Sequence, residues 1–83
     1  MKAVVYSKRA LRALRQHANR ASLIREKINQ YADDPATQAN NVKQLTGSDG
    51  ALRLRVGDFR VVFTETSDTI SVLNVGPRGT IYD

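Results

Sequence analysis

Leu52-Arg53-Leu54-Arg55-Val56 alternates strictly between apolar and charged residues, meets Gly57-Asp58, and is answered by Phe59-Arg60-Val61-Val62-Phe63-Thr64. A period of two fits a strand with one buried face. Glycine at the first position of a two-residue loop supplies the positive φ that closes a tight hairpin. These two facts set the register. Val56 faces Phe59, Leu54 faces Val61 and Leu52 faces Phe63, all toward a core. On the other face Arg55 stands opposite Arg60, and Arg53 opposite Val62. Like charges directly opposite on a sheet are destabilising, so nothing in folding calls for this arrangement. A bound phosphate would relieve it. The plainer alternative is a solvated sheet face that happens to be basic.

The rest of the chain is read around this hairpin. Ala3-Val4-Val5-Tyr6 is a short apolar strand. Ser7 can cap a following helix by accepting an orphan backbone N–H. Ala10, Leu11, Leu14 and Ala18 recur at three- and four-residue spacing and form its apolar stripe. Asn19 or Ser22 can start a second helix, with Leu23, Ile24, Ile28, Tyr31 and Ala32 as the stripe. Asp33-Asp34-Pro35 stops it, because the residue before proline is pushed out of the α region. Residues 36–50 read as polar and irregular, ending in a turn at Gly47-Ser48-Asp49-Gly50. After a turn at Thr66-Ser67-Asp68, the run Thr69–Val75 is apolar on both sides and is expected inside the sheet. The expected fold is α+β (β-α-α-β-β-β). An N-terminal strand is followed by two helices packed on one face of a mainly antiparallel four-stranded sheet. Residues 1–83 make a single domain.

Composition narrows the chemistry. Cysteine is absent, which excludes disulfides, thiolate zinc sites and a cysteine nucleophile. No cofactor and no metal is expected. The formal net charge of +5 favours a polyanionic partner, nucleic acid or an acidic protein. Residues 8–27 hold Lys8, Arg9, Arg12, Arg15, Arg20, Arg25 and Lys27 against Glu26 as their one acid. No apolar run approaches the roughly 20 residues of a membrane span. The N-terminal run is too short for the apolar region of a signal peptide. The expectation is a cytoplasmic protein with no membrane partner. Past the last strand, Arg78 stands where loops often carry function. Tyr82 could stack a base or donate a hydrogen bond, or simply pack its ring on the sheet.

Three segments in order carry a resemblance. Asn41-Val42-Lys43-Gln44-Leu45-Thr46-Gly47, then the hairpin from Leu52 to Phe63, then Val75-Gly76-Pro77-Arg78-Gly79-Thr80-Ile81-Tyr82 resemble toxins of the RelE/ParE superfamily, RelE-like branch, from type II toxin–antitoxin systems. The match is close over residues 41–83. Residues 1–40 agree in their strand–helix–helix pattern. The resemblance implies a metal-independent endoribonuclease, an mRNA interferase that cuts the message in the ribosomal A site and arrests translation. It implies as partners a cognate antitoxin, the ribosome and mRNA, with no direct DNA binding except through the antitoxin. By the same resemblance Arg60, Arg78 and Tyr82 are catalytic, and Arg53 and Arg55 bind the RNA phosphate.

This chain departs from the pattern in places. Relatives carry lysines where Arg53 and Arg55 stand, and arginine is a poor general base at neutral pH. Arg53 and Arg55 are therefore read as a phosphate clamp, leaving the base to Tyr82 or to ribosomal groups. Many relatives have a basic residue or histidine at the position of Pro77. His17, the one histidine, is read as a surface residue on the first helix, away from the arginines. Two other functions fit the same fold: a ParE-like inhibitor of DNA gyrase, and a catalytically inactive binding module.

Overall fold

The computed structural model describes residues 1–44 and 50–77. Among them the elements run β1 (Ala3–Tyr6), α1 (Lys8–Gln16), α2 (Ala18–Asp33), a 3₁₀ helix (Pro35–Asn41), β2 (Val42–Gln44), β3 (Leu52–Val56), β4 (Phe59–Glu65) and β5 (Thr69–Pro77). This is the expected α+β order with two additions, the 3₁₀ helix and β2. The sheet has five strands, in the order β1-β5-β4-β3-β2. β1 pairs parallel to β5, and the remaining pairs are antiparallel. The extra strand, β2, and the 3₁₀ helix occupy most of the segment expected to be irregular. The turn expected at 47–50 lies, apart from Gly50, outside the described residues.

The hairpin register is the one that the alternation dictates: Val56 pairs with Phe59, Arg55 with Arg60, Leu54 with Val61, Arg53 with Val62 and Leu52 with Phe63. Gly57 turns the chain at φ +57°, where a side chain would be strained. β5 lies between β1 and β4, inside the sheet as expected, although Leu73 is 40% exposed. A bulge interrupts the β4–β5 ladder. Val62 pairs with Asn74 and Phe63 with Val72, so Leu73 is the extra residue.

Ser7 caps α1, its Oγ accepting from Ala10 N–H at 3.0 Å. The same hydroxyl donates to the Leu73 carbonyl at 2.7 Å, which ties the helix start to β5. α1 buries Ala10, Ala13 and Leu14, whereas Leu11 is 38% exposed and Ala18 lies on the surface. The stripe is therefore rotated from the expected one. α2 begins at Ala18, earlier than Asn19 or Ser22. His17 joins the two helices at φ −119°, ψ 49°, without a side-chain cap. α2 buries Ile24, Ile28, Tyr31 and Ala32 but leaves Leu23 39% exposed. Asp34 ends α2 and caps the 3₁₀ helix, its carboxylate accepting from Ala36 N–H at 3.1 Å. Pro35 supplies the first position. No helix among the described residues is long and apolar enough to cross a membrane.

The core joins both helices to one face of β3, β4 and β5, with Phe63, Ile24, Leu54, Ile70, Val61 and Val72 fully enclosed. The Tyr31 ring meets Phe63 edge-on at 5.2 Å. Its hydroxyl donates to Glu65 at 2.5 Å, and Lys2 Nζ contacts the other Glu65 oxygen at 2.7 Å. Burial pushes the Glu65 carboxyl up. The hydrogen bonds from Lys2 and Tyr31 and the ammonium charge outweigh burial and hold it below the usual range. A carboxyl lowered in this way contributes stability above its unfolded value, about 4.5, and loses it as pH falls through the folded value. Thermal melts from about pH 3 to pH 7 should show this. Glu65→Gln should melt lower at neutral pH and show a flatter acid limb. An acid limb identical to that of the wild type would remove Glu65 from the account.

Candidate functional site

The face of the sheet turned away from the helices carries the arginines. In an antiparallel pair, directly opposed residues sit about 4.5–5.5 Å apart at Cα. Arg55 and Arg60 are such a pair, and Arg53 is opposed on its other side by Lys43 of β2. Four basic residues thus share this face, one more than the hairpin alone provides. Lys43 lies in the segment read as irregular. Its strand character comes from pairing with β3, which a run of Val42-Lys43-Gln44 is too short to announce.

Depth separates these side chains. Arg55 and Lys43 are exposed, Arg53 is half-buried, and Arg60 is only 7% exposed. Arg60 thus shares the face of Arg53 and Arg55, as the register requires, but lies deeper than either. β4 is the middle strand of five, and the position opposite Arg60 on β5 is Gly76, which has no side chain to hold the arginine outward. The Arg60 guanidinium folds back along its own strand, Nη1 donating to the Phe59 carbonyl at 3.2 Å. A buried guanidinium is costly in an apolar setting. It lies at the floor of the basic face, below Arg55 and Arg53.

Arg55 is held from the side. Its Nη2 reaches Asn41 Oδ1 at 3.5 Å. Asn41 Nδ2 donates to Gln38 Oε1 at 3.1 Å, and Gln38 Nε2 donates to Gln30 Oε1 at 3.0 Å. Gln38 is 4% exposed, and its amide links the 3₁₀ helix to α2. Every donor in this relay points the same way, from β3 back to α2. Sequence reading missed it because its members come from three separate elements.

β5 ends with Gly76 opposite Arg60 and Pro77 opposite Phe59, so the last described residues run beside the site. Arg78 and Tyr82 lie outside the described residues. His17 is half-buried and meets the hairpin on its apolar side, its ring 4.9 Å from Phe59 and edge-on at 76°. It does not join the arginines. A planar guanidinium fork presents parallel N–H donors that match phosphate oxygens. The arrangement is therefore chemically suited to gripping a phosphodiester and stabilising added charge on it.

Solved structures with this fold include the archaeal RelE–RelB complex from Pyrococcus horikoshii OT3, at TM-score 0.75 and 23% identity, covering 96% of this chain and 98% of that one. The intact E. coli RelBE toxin–antitoxin complex is similar at TM-score 0.73 and 18% identity, covering 93% and 96%. The E. coli DinJ–YafQ toxin–antitoxin complex is similar at TM-score 0.77 and 13% identity, covering 99% and 98%. At such identities the likeness speaks for the fold alone. Among curated proteins none matches the chain. The sequence itself decides the family: a model of the ParE toxin of type II toxin–antitoxin systems, parDE, matches residues 4–82, and the chain belongs to that family within the RelE/ParE superfamily.

Proposed function

We propose that this toxin cleaves messenger RNA on the ribosome. The observation that carries the reading is the opposed Arg55–Arg60 pair, extended by Arg53 and Lys43 on one sheet face. Four cations share one sheet face among the described residues, and the charge of a phosphodiester would complement them. In the reaction a ribose 2′-hydroxyl loses its proton and its oxygen attacks the adjacent phosphorus. The bond from phosphorus to the 5′-oxygen breaks, and that oxygen takes up a proton. The products are a 2′,3′-cyclic phosphate and a 5′-hydroxyl end. Arg60, from below, and Arg55 and Arg53, from the rim, stabilise the charge that builds on the non-bridging oxygens. Arginine stays protonated, so proton transfer falls to Tyr82 or to ribosomal groups. Arg78 is assigned to the leaving oxygen. The partner that restrains the toxin is a cognate antitoxin, in keeping with the toxin–antitoxin complexes that share its fold.

A second reading has one observation in its favour, the ParE name of the matched family. In that reading the toxin blocks DNA gyrase and leaves RNA intact. Induction without the antitoxin should arrest translation, and primer extension should show messages cut within codons on programmed ribosomes. Intact messages together with blocked gyrase supercoiling would overturn the nuclease in favour of the gyrase reading.

A further inference from the structure

β2 begins at Val42, opposite Leu54, and β3 runs on past it to Arg55 and Val56, beside the 3₁₀ helix. A cleft of about 460 Å³ fills this corner. Its walls include Leu23 and Lys27 from α2, Gln38 and Asn41 from the 3₁₀ helix, and Arg55 and Arg60 from the hairpin. We propose that this cleft is an RNA subsite beside the scissile phosphate, in which Lys27 contacts a neighbouring backbone phosphate. The proposal rests on the nuclease reading for its setting.

Three observations carry it. First, Arg55 and Arg60 line the cleft as well as belonging to the basic face, so a strand gripped there has a continuous cationic path over the β3 edge. Lys27, half-buried on α2, is the next cation on that path. Asp58 at the hairpin tip is the acid among the residues that line the cleft. Second, the Gln30–Gln38–Asn41 relay ends on Arg55 and holds its guanidinium at the cleft mouth, at 3.0, 3.1 and 3.5 Å per step. Third, the wall is mixed. Side-chain amides of Asn41 and Gln38 sit near the exposed apolar surface of Leu23. Amides can bond a base edge and an apolar side chain can cover a base face.

The test is binding, so it does not depend on cleavage. A labelled 2′-O-methyl RNA heptamer, which lacks the attacking hydroxyl, is titrated with the full chain at several salt concentrations and followed by fluorescence anisotropy. Lys27→Ala should weaken binding about five- to tenfold at 0.1 M salt and flatten the log–log salt slope by about 0.7, the share of one phosphate contact on a single strand. Lys27→Arg should restore both. An unchanged affinity and slope in Lys27→Ala would overturn the proposal, as would a wild-type chain that does not bind the heptamer. A glutamate-rich peptide bound more tightly than the RNA in a Lys27-dependent way would reassign the cleft to a protein partner. If programmed ribosomes are left uncut while RNA binding still depends on Lys27, the nuclease reading fails and the subsite stands.

Discussion

Replacing Arg60 with alanine should lower single-turnover cleavage of a message on purified ribosomes about a hundredfold, the effect of losing roughly 3 kcal/mol of transition-state stabilisation. The size of the loss follows from where Arg60 sits. It is the most enclosed cation of the basic face, at 7% exposure, and its guanidinium is folded against β4. Water screens a charge there less than it screens Arg55 on the rim, so its field at a bound phosphate is stronger. Burial also means that alanine leaves a void, and a loss of activity could reflect a loosened sheet. Arg60→Met separates the two causes. Methionine keeps much of the volume and removes the charge. Arg60→Met should melt above Arg60→Ala, because it leaves less of a void, while cleaving as poorly. Arg60→Lys keeps the charge but loses the planar fork, and its rate should fall between those of the wild type and Arg60→Met. A near wild-type rate for Arg60→Met would place the active site elsewhere.

Local chemistry made much of this fold legible. Strict alternation fixed the register of β3 and β4 because a slip of one residue would turn every apolar side chain to water. Gly57, Ser7 and Pro35 each solve a local backbone problem with a residue suited to it, and all three stand where the sequence places them. What stayed hidden depends on neighbours distant in sequence. β2 is three residues long and is a strand only because β3 offers it a ladder. The break at His17 has no glycine, proline or side-chain cap to mark it. It coincides with the packing of the His17 ring on Phe59, a contact made across the fold. The candidate site divides in the same way. Alternation shows that Arg53, Arg55 and Arg60 share a face, but it cannot give their depth. Depth comes from strand order and from Gly76 on the neighbouring strand. Lys27, Gln38 and Asn41 meet Arg55 only once α2, the 3₁₀ helix and β3 are assembled.

The opposite face of β4 should set stability without setting activity. Phe63 is 2% exposed, is among the largest enclosed side chains, and makes the edge contact with Tyr31. Phe63→Ala removes the ring and leaves a cavity that the sheet and α2 cannot fully close. That should cost about 3–5 kcal/mol. A domain of this size has roughly 5–15 kcal/mol in all. At about 4–8 °C per kcal/mol, the melting temperature should fall by at least about 12 °C. Part of the cost is the lost aromatic pair, about 0.5–1.5 kcal/mol. The Tyr31 hydroxyl stays fastened to Glu65, so the neighbouring ring is not free to swing into the gap. If Phe63→Ala is too unstable to purify, Phe63→Leu gives the same information on a smaller scale, with an expected loss of about 1–2 kcal/mol. Urea unfolding followed by circular dichroism measures both variants. Phe63→Leu should cleave at the wild-type rate at low temperature, because its side chain points to the core while Arg60, three residues earlier on the same strand, points to the opposite face. An unchanged urea midpoint for Phe63→Ala would mean that this core contact is not formed. A Phe63→Leu variant that folds fully but cleaves a hundredfold more slowly would mean that the two faces of β4 are coupled and that Arg60 does not act alone.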